Sequence, residues 1–547
     1  MQNLPIGISE FSELRQKNRV YIDKTKHVYS LLTNNCRAFL SRPRRFGKSL
    51  LLSTLAAALQ GKKELFKGLW IESSDYAWSP VAVIRFDFSE LSIKSPEDFE
   101  KSLLIVMQRT ANQYGVTLSS DLNVNATLGV LIDSLCNETS KKPFESVAIL
   151  IDEYDHPILH TLHNLKLAIE IRDIMKSFAC VIKARAVVVN FVFVTGVSAF
   201  SKAGLSSGLN NLDNLTMNED FFDICGYTDK EVDHYFKDRI HAWALERNIS
   251  YDALRDDLKT WYNGYRFEEN ASTIYSPFSL TCALHARKIQ NFWFESAAPK
   301  FLLDELNKAE RQKECNFLNL DELEGDVDLL QTFEIECIPL TALLFQMGYL
   351  TIKEYNQDSK FYSLKYPNNE VKTTLHKHLI VALTKTSLSA LNSIMSKLYT
   401  SLVQENIEQV IQCFTSVFSN IPYQLHESAK NPLEQERFYH AIVQALFVAA
   451  GIKSQAEFST AQGRADIIVE LPKLFYVIEI KVNKSPETGL AQIEKQKYYT
   501  HLLHLHKPIY ALGISFHRKK TDAESKGGNI TLTCFRNRTT DYSCCTC

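Results

Sequence analysis

The sequence lacks the features that mark secreted, membrane-spanning and strongly basic proteins. No basic stretch followed by an apolar core stands at MQNLPIGISEF, which predicts that there is no signal peptide. The most apolar run, Ala186–Val194, is interrupted by Asn190 and is too short to cross a bilayer. The formal net charge of the 547 residues is only -2, which excludes a chain that binds nucleic acid over its whole surface but not a local basic groove. We therefore expect a cytoplasmic protein without membrane contact.

Recognisable disulfide, zinc and hydrolase patterns are missing as well. Most of the 12 cysteines stand alone within apolar segments, which is typical of small core residues in a reducing compartment. Four cysteines fall in the last residues without the Cys/His spacing of a zinc site, so we expect a frayed tail, with metal binding there as the alternative. Neither a GxSxG nor an HExxH motif occurs. The four tail cysteines are Cys534, Cys544, Cys545 and Cys547.

The pattern along the chain predicts an α/β protein of two or three domains, because 547 residues exceed one compact core. Four continuous apolar runs alternate with helical patterns in the first half, as in a parallel sheet covered on both faces. The predicted strands are Cys36–Leu40, Val81–Phe86, Val147–Ile151 and Val187–Val194. The predicted helices between them are Ser49–Gln60, Pro96–Tyr114 and Asn164–Val181.

From about Asp229 the pattern becomes helical, including Trp261–Phe267, and a second α/β unit follows. There we predict a helix at about Glu434–Ala450 and strands at Ala465–Glu470, Phe475–Ile480 and Ile509–Ile514. The predicted division is therefore an α/β domain at 1–228, a helical middle at 229–425, a second α/β domain at 426–520 and a disordered tail at 521–547.

The segment CRAFLSRPRRFGKSLLL predicts a strand, a loop and a helix that together bind phosphate. Backbone N–H groups and a helix N-terminus would surround one point, where Lys48 reaches the β/γ-phosphates and Ser49 ligates Mg²⁺. Arg42 stands where the standard loop has glycine, so a basic surface turn is the alternative. The candidate cofactor-binding residues of the loop are Arg42, Arg44, Arg45, Phe46, Gly47, Lys48 and Ser49.

An acidic strand end about a hundred residues later favours the phosphate-binding interpretation. In SVAILIDEYD, Asp152 would stand near the Mg²⁺ shell and Glu153 would polarise a water, although such a pair can also be a helix N-cap. The next apolar run ends at Thr195, which could sense the γ-phosphate.

These motifs together resemble the AAA-ATPase-like family of P-loop proteins, whose members carry an Arg at the first loop position. The resemblance implies a P-loop NTPase domain that uses ATP and Mg²⁺, with nucleotide and metal roles for Lys48, Ser49, Asp152 and Glu153. It leaves the roles of Asp23, Asn210, Tyr265 and Arg266 open; for Arg266 we favour a structural role over phosphate sensing. The matching segments are Leu4–Phe11, YIDKT at 21–25, RPRRFGKS at 42–49, IDEYDHP at 151–157, 195–216, WYNGYRF at 261–267, YSPFSL at 275–280 and FWFES at 292–296.

A second candidate site lies near the C-terminus, where two strands joined by a turn would bring Asp466 and Glu479 together. Glu479 and Lys481 are two residues apart and so share a strand face, a set that can hold Mg²⁺ and activate water. With Glu436 on the preceding helix and Gln492 at the start of the next, the order resembles the PD-(D/E)XK nuclease superfamily. The alternative is a solvated strand edge.

The leading hypothesis is an Mg²⁺-dependent NTPase whose nucleotide state controls a nuclease-like domain. Glu153 would activate water for ATP hydrolysis, and Asp466, Glu479 and Lys481 would cleave nucleic acid, with DNA favoured over RNA by resemblance only. Whether the protein forms a homo-oligomer stays an open question. The alternative function is a nucleotide-gated switch that binds nucleic acid or a partner without cutting. His156 is expected to be structural, although a catalytic role is the alternative.

Overall fold

The computed structural model describes residues 1–34, 37–136, 144–198, 209, 212–293, 323–327, 339–384, 386–421, 432–460, 463–518 and 530–538. Described residues within Met1–Ser296 and Leu320–Glu370 form one compact unit, and those within Val371–Cys547 form a second. The expectations for Cys36, for Asn210 and for the cysteines at 544, 545 and 547 lie outside the described residues.

The first unit is built on a parallel five-stranded sheet, as the continuous apolar runs predict. Its strands stand in the order β2-β3-β4-β1-β5, and every neighbouring pair is parallel. Strand β3 is buried at all six positions, because helices cover both faces of the sheet. The strands are β1 Arg37–Ser41, β2 Ala82–Asp87, β3 Val147–Asp152, β4 Val189–Gly196 and β5 Asp213–Asn214.

The three predicted helices of the parallel-sheet region begin within one residue of their predicted starts, and the other helices of this region were not predicted. α3 follows β1 through the phosphate loop, and the Ser95 side chain caps α4 at the backbone N–H of Asp98 at 3.2 Å. The helices are α1 Phe11–Gln16, α2 Thr25–Asn34, α3 Lys48–Leu59, α4 Pro96–Tyr114, α5 Val124–Cys136, α6 His156–Thr161 and α7 Leu165–Ala184.

The region that follows is mainly helical, with a small antiparallel sheet in the order β6-β8-β7. The prediction of helix across Trp261–Phe267 is wrong, since the helix ends at Tyr262 and Tyr265 pairs with Ile274 as an isolated antiparallel bridge. Gly264 stands between them at a φ of 100°, which a helix cannot contain. The elements are α8 Asp229–Glu246, α9 Tyr251–Tyr262, α10 Pro277–Ala286, α11 Leu340–Gln346, β6 Glu324–Gly325, β7 Thr351–Asn356 and β8 Phe361–Lys365.

The second unit packs helices against a mixed five-stranded sheet in the order β13-β12-β11-β10-β9. β11 and β12 are parallel and the other neighbours are antiparallel. Its helices are α12 Asn369–Thr384, which begins in the first unit, α13 Leu388–Val403, α14 Ile407–Phe418, α15 Pro432–Ala449 and α16 Pro486–Gln496. Its strands are β9 Lys453–Thr460, β10 Gly463–Glu470, β11 Phe475–Val482, β12 Ile509–Arg518 and β13 Ile530–Arg538.

Strand β13 corrects the expectation of disorder across the whole tail. Residues 530–538 pair with β12 in an antiparallel register that runs from Tyr510 opposite Arg538 to Arg518 opposite Ile530. The physical reason is visible in ITLTCF, where apolar and threonine residues alternate with the period of a strand. β9 was also not predicted.

None of the single helices in the described part of the chain is long and apolar enough to cross a membrane. The bent pair α12 and α13 passes the same test of length and composition when the two helices are taken together, with 116° between them.

Candidate functional site

The loop between β1 and α3 has the geometry of a phosphate cradle. Gly47 caps α3 at a φ of 95°, a left-handed conformation that residues with a Cβ rarely adopt, and Arg45 is left-handed as well at 67°. The chain therefore turns sharply before the helix begins at Lys48, so the first N–H groups of the helix face the loop. This is the arrangement that attracts anions at helix N-termini.

The ammonium group of Lys48 is held inside this loop. Lys48 is 3% exposed, and its Nζ donates to the carbonyl oxygens of Arg42 at 3.1 Å and Pro43 at 3.3 Å. The same Nζ lies 3.3 Å from Oε1 of Glu153. The predicted loop lysine and the predicted water-polarising acid are thus in direct contact.

Asp152 lies at the end of β3 and is completely buried. Its Oδ1 accepts the Thr195 hydroxyl at 2.5 Å, while Oδ2 is buried without a hydrogen-bond partner among the described residues. Burial raises the pKa of Asp152, and the neighbouring hydroxyls of Ser49 and Thr195 partly offset this. An orphaned carboxylate oxygen beside a serine hydroxyl fits a hard cation such as Mg²⁺.

Glu153 follows at a φ of 48°, a strained conformation for a residue with a side chain. Burial opposes its ionisation, but the charges of Lys48 and Arg44 outweigh this, so the pKa of Glu153 lies below its ordinary value. The group is therefore a carboxylate at neutral pH. An ionised carboxylate here can orient a water molecule.

Two of the three loop arginines, Arg42 and Arg45, lie in different environments. Arg42 is fully buried, and its guanidinium donates to the carbonyls of Ser41, Thr216 and Phe221 at 2.9, 2.8 and 3.1 Å. These carbonyls engage the guanidinium, and a cofactor-binding role for Arg42 stays a prediction. Exposed Arg45 lies 4.2 Å above the Phe278 ring beside the cavity described next.

A cavity of about 370 Å³ opens beside the loop, within the usual range for ligand pockets. Lys48, Ser49 and Glu153 line one part of it, and the remaining lining is largely apolar, including Ile6 and Phe278. Charged side chains within a largely apolar lining suit a phosphorylated ligand that also has an apolar part.

Sequence reasoning missed Asp155, which is fully buried behind the acidic strand end. Its carboxylate accepts the backbone N–H of Val197 at 3.1 Å and both the N–H and the hydroxyl of Ser198, at 2.7 and 2.6 Å. Burial and the charge of Glu153 raise its pKa to about 6. The third acid of DEYD, two residues beyond Glu153, was the available signal. Asp155 thus ties the segment after β4 to the end of β3.

Asp23 and Arg266, two of the motif residues whose roles were open, have structural partners among the described residues. Asp23 accepts the N–H of Thr25 at 2.9 Å and that of Trp70 at 2.7 Å. The Arg266 guanidinium donates to the carbonyl of Lys353 at 3.3 Å, which supports the structural interpretation. The rings of His156 and His160 are tilted by 38° with their centroids 4.1 Å apart, and burial lowers the pKa of His156 to about 4.

The C-terminal set assembles in the second unit as the strand pairing predicts. Opposite strands bring Asp466 to Glu479, whose Oε1 accepts the backbone N–H of Asp466 at 3.3 Å. Lys481 Nζ lies 3.0 Å from Oε2 of Glu479 and 3.2 Å from Oε1 of Glu436. Oδ2 of Asp466 accepts the N–H of Ile480 at 2.8 Å.

The electrostatics of this set suit a cation. Burial first, and then the nearby Asp466 carboxylate, raise the pKa of Glu479, which has no exposed surface. Burial lowers the pKa of Lys481, but Glu479 and Asp466 outweigh it, so the pKa of Lys481 is raised and the group is an ammonium. No group of three or more His, Cys, Asp or Glu side chains within the described ranges is arranged to hold a metal ion. Two carboxylates do match the usual Mg²⁺ site, which is completed by water and substrate phosphates.

Gln492 is not part of this contact set. It lies in the middle of α16 instead of opening a helix, and its Nε2 donates to the Tyr498 hydroxyl at 3.2 Å. α16 reaches the site through Gly489, where an added Cβ would stand 3.2 Å from Cβ of Glu479. His440 on α15 contacts the carbonyl of Asp466 at 2.7 Å, a neighbour that the helix position alone did not reveal.

Comparisons with known proteins match both regions. A family model described as Predicted AAA-ATPase matches residues 5–206, and one described as PD-(D/E)XK nuclease superfamily matches residues 434–526. The chain is also similar to an uncharacterized protein in the vnfD 5' region of Azotobacter chroococcum mcd 1. The two are 33% identical over 524 residues, which cover 94% of this chain and 97% of that protein.

Proposed function

Because the chain belongs to the family that joins an AAA-ATPase-like P-loop domain to a PD-(D/E)XK nuclease superfamily domain, we propose that it hydrolyses ATP and that its nucleotide state controls metal-dependent cleavage of nucleic acid. One observation carries the proposal. Lys48, at the start of α3, contacts Glu153, which follows β3, beside a cavity, and Asp152 at the end of β3 reaches the neighbouring Ser49 hydroxyl.

At the first site, Ser49 and Asp152 would hold Mg²⁺ and Lys48 would neutralise the β/γ-phosphates. The metal would supply charge neutralisation at the phosphates. Glu153 would orient the attacking water, and the Thr195 hydroxyl would hold Asp152 in place. Lys48 would exchange its present carbonyl and carboxylate partners for phosphate oxygens.

At the second site, Asp466 and Glu479 would hold a divalent cation, and Glu479 would lose its proton as the cation binds. Lys481, an ammonium kept in place by Glu436, would orient a water for attack on phosphorus. DNA is the favoured substrate by the family resemblance.

The ATPase is tested by measuring ATP binding and phosphate release in the wild type, Lys48→Ala and Glu153→Gln. Lys48→Ala should lose binding, whereas Glu153→Gln should bind ATP and release phosphate at least about 100-fold more slowly. ATP binding by Lys48→Ala that equals that of the wild type would show that the loop assignment is wrong.

The nuclease is tested with supercoiled plasmid and Mg²⁺ or Mn²⁺, with and without ATP. The wild type should nick the plasmid, and Asp466→Ala and Lys481→Ala should each abolish nicking. Lys484→Ala, an exposed lysine three residues further on, is the matched control and should retain it. Plasmid that is bound but never cut under any nucleotide condition would favour the non-cleaving switch.

A further inference from the structure

The phosphate loop is contacted by residues that lie far beyond the matched ATPase segment at 5–206. The indole N–H of Trp293 donates to the carbonyl oxygen of Arg44 at 3.0 Å. Trp293 is 7% exposed, and its ring meets the ring of Tyr349 edge to face at 5.3 Å. A buried tryptophan therefore holds the backbone of the loop at its middle residue.

Gly348 packs closely against Pro43 of the same loop. Its φ is 85°, and a Cβ added there would lie 2.6 Å from Cγ of Pro43 and 3.5 Å from Cζ2 of Trp293. Only a glycine lets the backbone come this close to Pro43. Gly348 and Trp293 are thus neighbours on one side of the loop.

Two aromatic rings hold the loop from the WYNGYRF segment. Phe46 is 1% exposed, and its ring meets Tyr265 edge to face at 4.7 Å and Phe267 at 5.7 Å. The Arg42 guanidinium lies 4.2 Å above the ring of Phe267. Arg42 near the start of the loop and Phe46 near its end therefore both pack against residues outside the loop.

Glu370 holds Trp293 itself in position. The carboxylate accepts the backbone N–H groups of Phe292 at 2.6 Å and Trp293 at 2.9 Å, and the residue has no exposed surface. These two hydrogen bonds fix the backbone at Trp293, whose indole N–H donates to the carbonyl of Arg44.

We propose that Trp293, Gly348 and Glu370 are positioning residues that hold the phosphate loop in its nucleotide-binding conformation. The inference rests on the proposed ATP site. The loop has one glycine between Arg42 and Lys48, so little of its shape comes from glycine turns; the external contacts supply that shape instead. The site is consequently incomplete without the residues around 265–293 and 348–370.

Two measurements on the full chain test this. Hydrogen exchange of the backbone amides at 44–48 should become about tenfold faster in Trp293→Phe and in Gly348→Ala, the factor for one lost hydrogen bond. The dissociation constant for ATP should rise by about the same factor. Trp243→Phe is the matched control, since Trp243 lies on α8 and is similarly buried, at 2% exposed, and it should leave both readouts unchanged.

A conservative pair separates positioning from general damage to the fold. Glu370→Gln keeps an acceptor for the two N–H groups and should behave as the wild type in both measurements, whereas Glu370→Ala should behave as Trp293→Phe. Wild-type exchange and affinity in both Trp293→Phe and Gly348→Ala, with binding lost in Lys48→Ala, would overturn the inference and leave the ATP site standing. A wild type that binds no ATP would overturn both.

Discussion

The hydroxyl of Thr195 donates to Oδ1 of Asp152 at 2.5 Å, across two neighbouring parallel strands. β4, which carries Thr195, lies between β3 and the strand that enters the phosphate loop. Thr195 is therefore placed to hold the acidic strand end in register with the loop, and both residues are completely buried.

Replacing Thr195 by valine keeps the shape of the side chain and removes the donor. We expect the rate constant of ATP hydrolysis to fall about tenfold or more with little change in ATP affinity, because Asp152 loses its partner on Oδ1. Steady-state kinetics of phosphate release would measure this. Thr195→Ser retains the hydroxyl and should stay within about threefold of the wild type; an equal loss in both variants would contradict the role of the hydrogen bond.

Substitutions of Arg42 and Arg45 should have different effects, because Arg42 is buried and donates to carbonyl groups whereas Arg45 is exposed. Arg42→Met leaves the carbonyls of Ser41, Thr216 and Phe221 without their donor, so the free energy of unfolding should fall by about 3 kcal/mol or more. Arg45→Ala should change it by less than about 0.5 kcal/mol and weaken ATP binding about fivefold. Urea unfolding and equilibrium binding provide the two measurements. Similar stability losses in both variants would contradict the assignment.

Glu370 should make stability depend on pH. Burial raises its pKa from 4.5 to about 7, against the opposing hydrogen bonds from Phe292, Ser279 and Trp293. Between these two values the folded protein holds a proton that the unfolded chain has lost, so this group's contribution is complete below pH 4.5 and is lost as pH rises to about 7.

Glu370→Gln has no such proton to lose. The variant should therefore lack this fall in the free energy of unfolding, which is on the order of 3 kcal/mol from the shift of the pKa. Denaturant unfolding at several pH values from 4.5 to 8 would compare the two proteins. Parallel pH profiles would contradict a raised pKa for Glu370.

Gly264 should tolerate no side chain. Its φ is 100°, and an added Cβ would collide with the carbonyl oxygen of Pro367. Gly264→Ala should lower the free energy of unfolding by at least about 2 kcal/mol. Gly115→Ala is the matched control, because Gly115 is also left-handed, at 72°, but a Cβ there meets nothing within 4 Å. A cost of about 1 kcal/mol is expected for the control, and equal costs would show that the collision does not matter.

Local patterns determined much of the architecture in advance. Continuous apolar runs predicted β1 to β4, because strands of a covered parallel sheet are buried on both faces. The two-residue spacing of Glu479 and Lys481 likewise predicted that they meet, because side chains two apart share a strand face. The helix predicted across Trp261–Phe267 was wrong, because Gly264 is left-handed and Tyr265 forms a bridge with Ile274.

The sequence by itself predicted the candidate site residues: Lys48 in its loop, the acidic end of β3, and the pair Asp466 and Glu479 with Lys481. Only the tertiary structure decided their surroundings. In the folded chain Arg42 donates to buried carbonyls and Thr195 donates to Asp152. Trp293 donates to the carbonyl of Arg44. The physical reason is that local spacing reports periodicity and backbone freedom, whereas a hydrogen bond between residues 249 positions apart depends on how the whole chain packs.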